Sequence, residues 1–217
     1  MLLTIGGLIV ATVLLIGSRI TKTVWLTKFT LGGVAVWFVF YIAMLLGFSL
    51  TSTEKALAVG EAKEYCGFYL DCHMHTMVTS VRTAKTIGDH TAGGTFYIVG
   101  VRVFSDAKNP NINLHLLEPK ARVISLDGSK VERDTTAEAL LPTADVQLDR
   151  AINNHQALDK EIVFDVANPT SGLKLLITEG YGIDKTIEHV LVGDEDSIFH
   201  AQTFFDLREQ TETASVK

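Results

Sequence analysis

Two uncharged apolar stretches at the amino end constrain this chain more than any other feature. Residues 1–18 contain no charged side chain, and neither do residues 29–53. A helix that crosses a bilayer needs about 20 mainly apolar residues, within a range of about 17 to 25. We therefore predict two transmembrane helices, residues 1–18 and residues 29–53, joined by a cytosolic loop of residues 19–28.

The placement of charge argues against a cleaved signal peptide at the start of the chain. Signal peptides begin with a positive segment and end at a small-residue cleavage site. Here the positive charges follow the first apolar stretch, and no clear Ala-x-Ala pattern follows the second. Lys22 and Lys28 followed by the second stretch do resemble a signal or a signal anchor, so cleavage after that stretch stays an alternative.

The few charges near the apolar stretches predict the orientation. Arg19, Lys22 and Lys28 are the only charged residues before Glu54, and basic loops stay in the cytosol. Everything after the second stretch is then extracytoplasmic. No Asn-x-Ser/Thr glycosylation triplet without an intervening proline occurs there, which favours a bacterial cell membrane as the location. A periplasm and an open exterior both remain compatible with this.

The displayed part of the chain is acidic. Its 16 basic and 25 acidic residues give a formal charge of −9. Binding of duplex nucleic acid depends on Lys and Arg that neutralise phosphates, so this charge argues against nucleic acid as a partner. It also argues against binding to an anionic lipid surface. The simplest role of the charge is to keep the domain soluble.

Short β-like runs separated by turn residues dominate the displayed part, and Asp127-Gly128 is a typical hairpin turn. Only residues 52–64 and 135–141 have a helical pattern, and Gly93-Gly94 is interpreted as a turn before a strand. Many short strands without alternating helices predict an all-β antiparallel sandwich. The predicted strands are residues 73–81, 95–104, 120–126, 161–166, 173–178, 187–192 and 198–207.

A family resemblance extends this prediction. The successive segments Thr-Phe-Tyr-Ile-Val-Gly-Val-Arg-Val from Thr95, Ala-Arg-Val-Ile-Ser-Leu-Asp-Gly-Ser from Ala121 and Glu-Ile-Val-Phe-Asp-Val from Glu161 carry it. They resemble the telokin-like, immunoglobulin-like domains of bacterial secreted and membrane-anchored proteins of unknown function. The resemblance covers about residues 95–207 and implies an immunoglobulin-like sandwich without catalytic residues, and we assign residues 95–217 to this domain. Residues 54–94 are then a linker and a first strand that joins the sandwich.

Both cysteines lie in one short segment of that first region. An oxidising compartment favours a disulfide between Cys66 and Cys72. Along a straight strand they would be about 20 Å apart, far beyond the roughly 7 Å that a disulfide allows between Cα atoms. A bridge therefore requires a turn, which Gly67 permits. Two unpaired cysteines remain the alternative.

The same segment suggests a metal site. On a strand, His73, His75 and Met77 share one face, while Cys72 and Met74 point to the other. Imidazole and thioether groups are ligands for copper, and imidazole and thiolate groups are ligands for zinc. Covalent haem is a third interpretation, but its usual motif separates the cysteines by two residues, whereas five separate them here.

The leading functional prediction is a binding module rather than an enzyme. No Gly-x-Ser-x-Gly, His-Glu-x-x-His or phosphate-loop motif occurs in the sequence. The predicted partners are the lipid bilayer and an envelope protein or a second copy of the chain, and no cofactor is predicted. The alternative is an envelope copper- or zinc-binding protein that uses residues 66–77. An enzyme assembled from dispersed residues would need a pocket with positioned acid and base groups.

Overall fold

The computed structural model divides the chain into two compact units. One unit contains Met1–Thr53 and Lys185–Gln202, and the other contains Glu54–Asp184 and Thr203–Lys217. We call them the helical unit and the β unit. The structure describes residues 2–66, 72–154, 156–167, 172–180 and 182–208.

The helical unit contains a helical hairpin, with α1 at Leu2–Ile20 and α2 at Val24–Thr51. Only residues 21–23 lie between the helices, so both helices continue into the predicted cytosolic loop of residues 19–28. No glycine or proline interrupts residues 19–28, so both helices continue into this region. The turn is made by Lys22, whose φ is 53°.

Among the described residues, one helix is long and apolar enough to cross a membrane, and it is α2. Only 6% of the residues in the most apolar part of α2 are buried within the protein, and Val36 and Val39 on its surface are 72% and 70% exposed. The apolar part of α1 is shorter and covers Thr4–Ile20. A helix that is apolar on all sides is typical of a buried or membrane-spanning position.

The β unit contains nine strands among its described residues, arranged in two sheets. The five-stranded sheet has the order β1-β9-β8-β5-β6, and the four-stranded sheet has the order β2-β3-β4-β7. All neighbouring strands are antiparallel except β1 and β9, which are parallel. The strands are β1 Lys55–Leu57, β2 Ala62–Tyr65, β3 Met74–Ile87, β4 His90–Ser105, β5 Lys120–Ile124, β6 Lys130–Glu132, β7 Ala157–Val166, β8 Lys174–Thr178 and β9 Thr203–Asp206.

One apolar core joins the two sheets. It contains Val99 and Val101 from the four-stranded sheet and Val123, Leu175 and Phe205 from the five-stranded sheet, all buried. Alternating residues of each strand face this core, as expected where two sheets pack face to face. The predicted β-sandwich is therefore confirmed at the level of two packed sheets.

Several sequence-based assignments are wrong in the regions around the sandwich. Residues 52–64, predicted as a helix, contain β1 and β2, because their pairing with β9 and β3 outweighs a local helical preference. The described residues between 54 and 94 consequently belong mainly to strands of the sandwich rather than to a linker. The predicted strand at residues 187–192 overlaps the end of a helix, α4 at Gly182–Glu188, and the turn after it. The predicted helix at residues 135–141 is confirmed by α3, Thr135–Glu138.

The Gly93-Gly94 pair lies inside β4 and does not form the predicted turn. The backbone N–H groups of Gly93 and Gly94 donate to the carboxylate of Asp165, at 2.7 and 2.8 Å. A Cβ atom on Gly94 would lie 2.1 Å from the carbonyl oxygen of Val166. Glycine is therefore required at residue 94 because the neighbouring strand approaches so closely.

This close approach leads to a paired prediction. We expect Gly94→Ala to lower the free energy of unfolding by about 3 kcal/mol, since a methyl group cannot fit against fixed backbone. Gly93→Ala is the control, because its Cβ would meet only the flexible carboxylate of Asp165, at 3.2 Å. Denaturant unfolding of the detergent-solubilised chain, followed by circular dichroism, measures both. Equal effects of the two substitutions would contradict this account.

Candidate functional site

The predicted disulfide is present. Cys66 and Cys72 are bonded, with Cα atoms 3.9 Å apart, and the described part of the chain has no free cysteine. Gly67, predicted to permit the turn, lies outside the described residues. The bridge lies next to the register pair Tyr65 and Met74 of β2 and β3. It therefore closes the end of that hairpin covalently.

The side chains that follow the disulfide alternate between the two faces of the sheet along β3, as the sequence predicts. Met74 and Thr76 are buried toward the core, whereas His75 and Met77 are only partly buried, on the outer face of the sheet. His73 precedes the strand and is also partly buried. The structure therefore places the predicted ligands His75 and Met77 on one face of β3.

Asp106, which sequence reasoning did not select, joins the two histidines. Nδ1 of His73 lies 2.7 Å from Oδ1 of Asp106, within hydrogen-bond distance. Nε2 of His75 lies 3.3 Å from the same oxygen but is not aligned for a hydrogen bond, and its ring stacks on Phe104 at 5.0 Å. The hydrogen bond from His73 lowers the pKa of Asp106, and burial of the carboxylate opposes this.

His73 and His75 thus both lie close to the carboxylate of Asp106. Among the described residues, no group of three or more His, Cys, Asp or Glu side chains is arranged to hold a metal ion. The copper or zinc site at His73, His75 and Met77 accordingly stays a prediction from the sequence. Asp106 follows the end of β4 and lies next to His73 because β4 pairs with β3. The sequence does not show which strands pair, so it did not point to Asp106.

A second polar feature is an open cleft of about 730 Å³ in the β unit. The start of β5, α3, the loop of residues 144–149 and β7 contribute to its lining. Two charged side chains in the lining, Glu138 and Lys160, are buried. Clefts of this size are typical of small-molecule sites, so what these two side chains contact decides what the cleft can do.

Glu138 connects α3 to the edge of the four-stranded sheet. Its carboxylate accepts hydrogen bonds from the guanidinium of Arg133, one of them 2.8 Å long. It also accepts the backbone N–H of Val163, at 3.1 Å, while the N–H of Asp134 donates to the carbonyl of Val163, at 2.7 Å. Strand β7 is an edge strand. The α3 segment thus satisfies backbone groups that an edge strand would leave unpaired.

Lys160 secures the loop that follows α3. Its ammonium donates to the carbonyls of Thr143 and Ala144, both at 3.3 Å. Burial lowers the pKa of Lys160, and the negative charge of Glu138 opposes this change. The sequence carries a signal for this residue, because Leu158, Lys160 and Ile162 occupy successive inward positions of an alternating strand. A lysine at such a position requires buried partners.

The two buried charges in the cleft are therefore committed to contacts within the protein. Glu138 is held by Arg133 and by Val163, and Lys160 is held by backbone carbonyls. Neither is placed as an unpaired acid or base directed at a bound molecule. Together these contacts stabilise the edge of the sheet at β7, so both charged side chains have a structural role.

The lowered pKa of Lys160 predicts a pH dependence of stability. Between this lowered value and 10.5, the unfolded chain binds more protons than the folded chain. The free energy of unfolding therefore gains a contribution that rises with pH in that window. We expect Lys160→Met to abolish this rise, as measured by urea unfolding at a series of alkaline pH values.

The control for this experiment is Lys130→Met, because Lys130 is exposed on β6. It should keep the alkaline dependence of the unsubstituted chain. If Lys160→Met also keeps that dependence, burial does not perturb this lysine and the proposed cause is wrong.

Comparison with known proteins yields little. No protein-family model matches the chain, and no curated protein matches it. Among solved structures, the chain is similar to MPT63, a secreted protein from Mycobacterium tuberculosis, with a TM-score of 0.42 and 10% identity. The similarity covers 71% of this chain and 97% of that chain. Likeness at this level does not establish a shared function, and the sandwich assignment rests on the strand pairing and core described above.

Proposed function

We propose that this protein is a membrane-anchored, extracytoplasmic binding module without catalysis of its own. Its sandwich domain would contact another envelope protein or a second copy of the chain. The observation that carries the anchoring is α2, which has 28 residues and leaves most of its apolar side chains exposed. An apolar patch of that size on a soluble protein marks an interaction surface, and at this length a bilayer is the matching partner.

The first helix supports a hairpin anchor with two spans. It has 19 residues, within the range that crosses a bilayer. The hydroxyls of Ser18 and Thr27 lie 2.8 Å apart and join the helices near their connection.

The disulfide and the basic connection support an extracytoplasmic domain. Disulfides persist in oxidising compartments and are rare in the cytosol, so the Cys66–Cys72 bond favours the outside of the cell membrane. Arg19, Lys22 and Lys28 lie at or near the turn that joins α1 to α2, which is the end of the hairpin away from Thr51. The positive-inside rule places such basic residues on the cytosolic side.

The strand order supports an immunoglobulin-like class of sandwich. In the immunoglobulin constant fold, strands C, F and G form one sheet and strands A, B, E and D form the other. Strands β5, β8 and β9 match C, F and G in order, and β4 and β7 match the B–E pair of the facing sheet. This correspondence agrees with the telokin-like resemblance of residues 95–207, which we retain as part of the proposal.

A binding role fits the chemistry of the β unit better than catalysis does. The buried charges of the cleft are paired within the protein, and the histidine pair contacts Asp106. The copper or zinc site at His73, His75 and Met77 remains the alternative, although among the described residues no group of three or more His, Cys, Asp or Glu side chains supports it.

Anchoring is tested by placing charge on α2. We expect the double substitution Val36→Lys and Val39→Lys to move the chain out of carbonate-washed membranes, since a lysine at the centre of a span costs about 3 kcal/mol. The matched control is Leu126→Lys with Ile112→Lys, two exposed apolar residues of the β unit. If the α2 variant stays in the washed membranes with the control, the hairpin is not the anchor.

The binding role is tested by crosslinking the full chain in its native membrane. We expect a crosslinked species that contains a second envelope protein or a second copy of the chain, because the module is proposed to function through contact. Mass spectrometry identifies the species. Persistent monomers under crosslinkers of several lengths would count against the proposal, while the Lys substitutions above report on anchoring separately.

A further inference from the structure

Strand β3 of the β unit has a neighbouring strand along only part of one side. On one side β4 pairs with it from Met74 to Ile87, whereas on the other side β2 pairs only with residues 74–77. Just beyond β2, the N–H of Gly60 donates to the carbonyl of Val78, at 2.8 Å. From residue 79 onward, no strand among the described residues pairs with β3 on the side away from β4.

A regular run of backbone lies within this uncovered part of β3. Residues 80–84 pair without interruption with residues 96–100 of β4, and the register is irregular only before and after them. In antiparallel pairing, alternate residues direct both their N–H and C=O groups to one side of the strand or to the other. The backbone groups that residues 80–84 direct away from β4 are therefore a short template for another strand. We call residues 80–84 the β3 edge.

The other edges of the two sheets are shorter or already covered. Strands β1 and β6 have three residues each. At β7, the hydroxyl of Thr143 accepts the N–H of Glu161, at 3.0 Å, and Glu138 and Asp134 bond to the backbone of Val163. Among the described edges, the β3 edge is therefore the best suited to the addition of a strand.

The sequence around the β3 edge differs in charge from the rest of the displayed part. Residues 72–88 include no acidic side chain, and they include the two basic residues Arg82 and Lys85. The displayed part as a whole has a formal charge of −9. The strand that has an open edge is thus locally basic within an acidic domain.

Both cations remain accessible from outside the protein. The guanidinium of Arg82 lies 2.8 Å from the carboxylate of Glu161, yet its side chain is 50% exposed. Lys85 is also exposed, and its ammonium donates to the carbonyl of Gly94 and to the hydroxyl of Thr95. Both of these acceptors are uncharged, so a carboxylate from another polypeptide can still approach Lys85.

These charges make the β3 edge selective for its partner. Like charges opposite each other in a strand pair are destabilising, and opposite charges are stabilising. A second copy of the chain would place Arg82 and Lys85 near the same two cations, which disfavours it. Basic residues on an edge prevent indiscriminate pairing, and they leave a strand with acidic side chains as the favoured partner.

We propose that the β3 edge binds a short extended segment of another polypeptide as an added strand, and that this segment carries acidic side chains near Arg82 and Lys85. Hydrogen bonds between the main chains supply the affinity, and the charges supply the specificity. This inference rests on the proposed binding function, for which it names the surface and the class of partner.

Hydrogen exchange of the full chain in lipid nanodiscs tests the proposal, with two synthetic peptides as probes. The acidic probe is acetyl-Thr-Val-Glu-Val-Thr-amide, and in the matched probe lysine replaces glutamate. We expect the acidic probe to slow amide exchange at residues 80–84 about tenfold when it is present at ten times its dissociation constant. The lysine probe should leave exchange there unchanged.

A reversal of charge on β3 makes the test specific. In the double variant Arg82→Glu with Lys85→Glu, the lysine probe should protect residues 80–84 and the acidic probe should not. The matched control is Lys130→Glu with Arg150→Glu, two exposed basic residues of the β unit, which should keep the preference of the unsubstituted chain. Because the reversed variant is expected to gain binding of the lysine probe, a loss of folding cannot produce the expected result.

Absence of protection by the acidic probe, or equal protection by both probes, would overturn the inference. Faster exchange at residues 80–84 after removal of residues 209–217 would assign the edge to that segment of the same chain. Protection that rises with protein concentration alone would assign it to a second copy, and either result also overturns the inference. The binding function is tested separately, because a crosslinked partner in the native membrane would support it even if the β3 edge binds neither probe.

Discussion

The exposed apolar surface of α2 is the constraint on which the rest of this protein depends. This helix has 28 residues, most of them exposed, and we propose that a bilayer removes its apolar surface from water. The hairpin with α1 and the segment Lys185–Gln202 both pack with this helix. Its requirement for an apolar environment thus connects the amino end of the chain with residues almost 150 positions later.

In the β unit, the constraint is that the edge strand β7 has backbone groups without a neighbouring strand to pair with. Its core needs only apolar residues in alternation, but the β7 edge needs partners for its backbone groups. Glu138 and the backbone of Asp134 supply partners for Val163, and Lys160 secures the loop beyond. Buried charges are costly unless they are paired. The contacts of these residues within the protein therefore stabilise the fold, and they do not by themselves indicate a binding site.

Contacts with residues distant in sequence also explain why the partner of His73 and His75 could not be predicted from the sequence. Alternation along one strand correctly placed His75 and Met77 on one face. Which groups two imidazoles contact depends on the neighbouring strand, and here Asp106, just past the end of β4, lies near both. Likewise, the Gly93-Gly94 pair has the local signature of a turn, but the closeness of β7 is what requires glycine.

The sequence alone was enough to predict the apolar helices, the β-rich character of the chain after residue 54 and most strands from residue 73 to residue 178, and it favoured a disulfide between the two cysteines. These follow from local periodicity, from charge placement and from a count of two cysteines in an oxidising compartment. Tertiary structure alone decided that residues 54–65 form strands, that Lys160 and Glu138 share a buried edge, and that Lys185–Gln202 packs on α2. The physical reason is that each of these depends on partners distant in sequence, whose contacts outweigh the local preference of the segment.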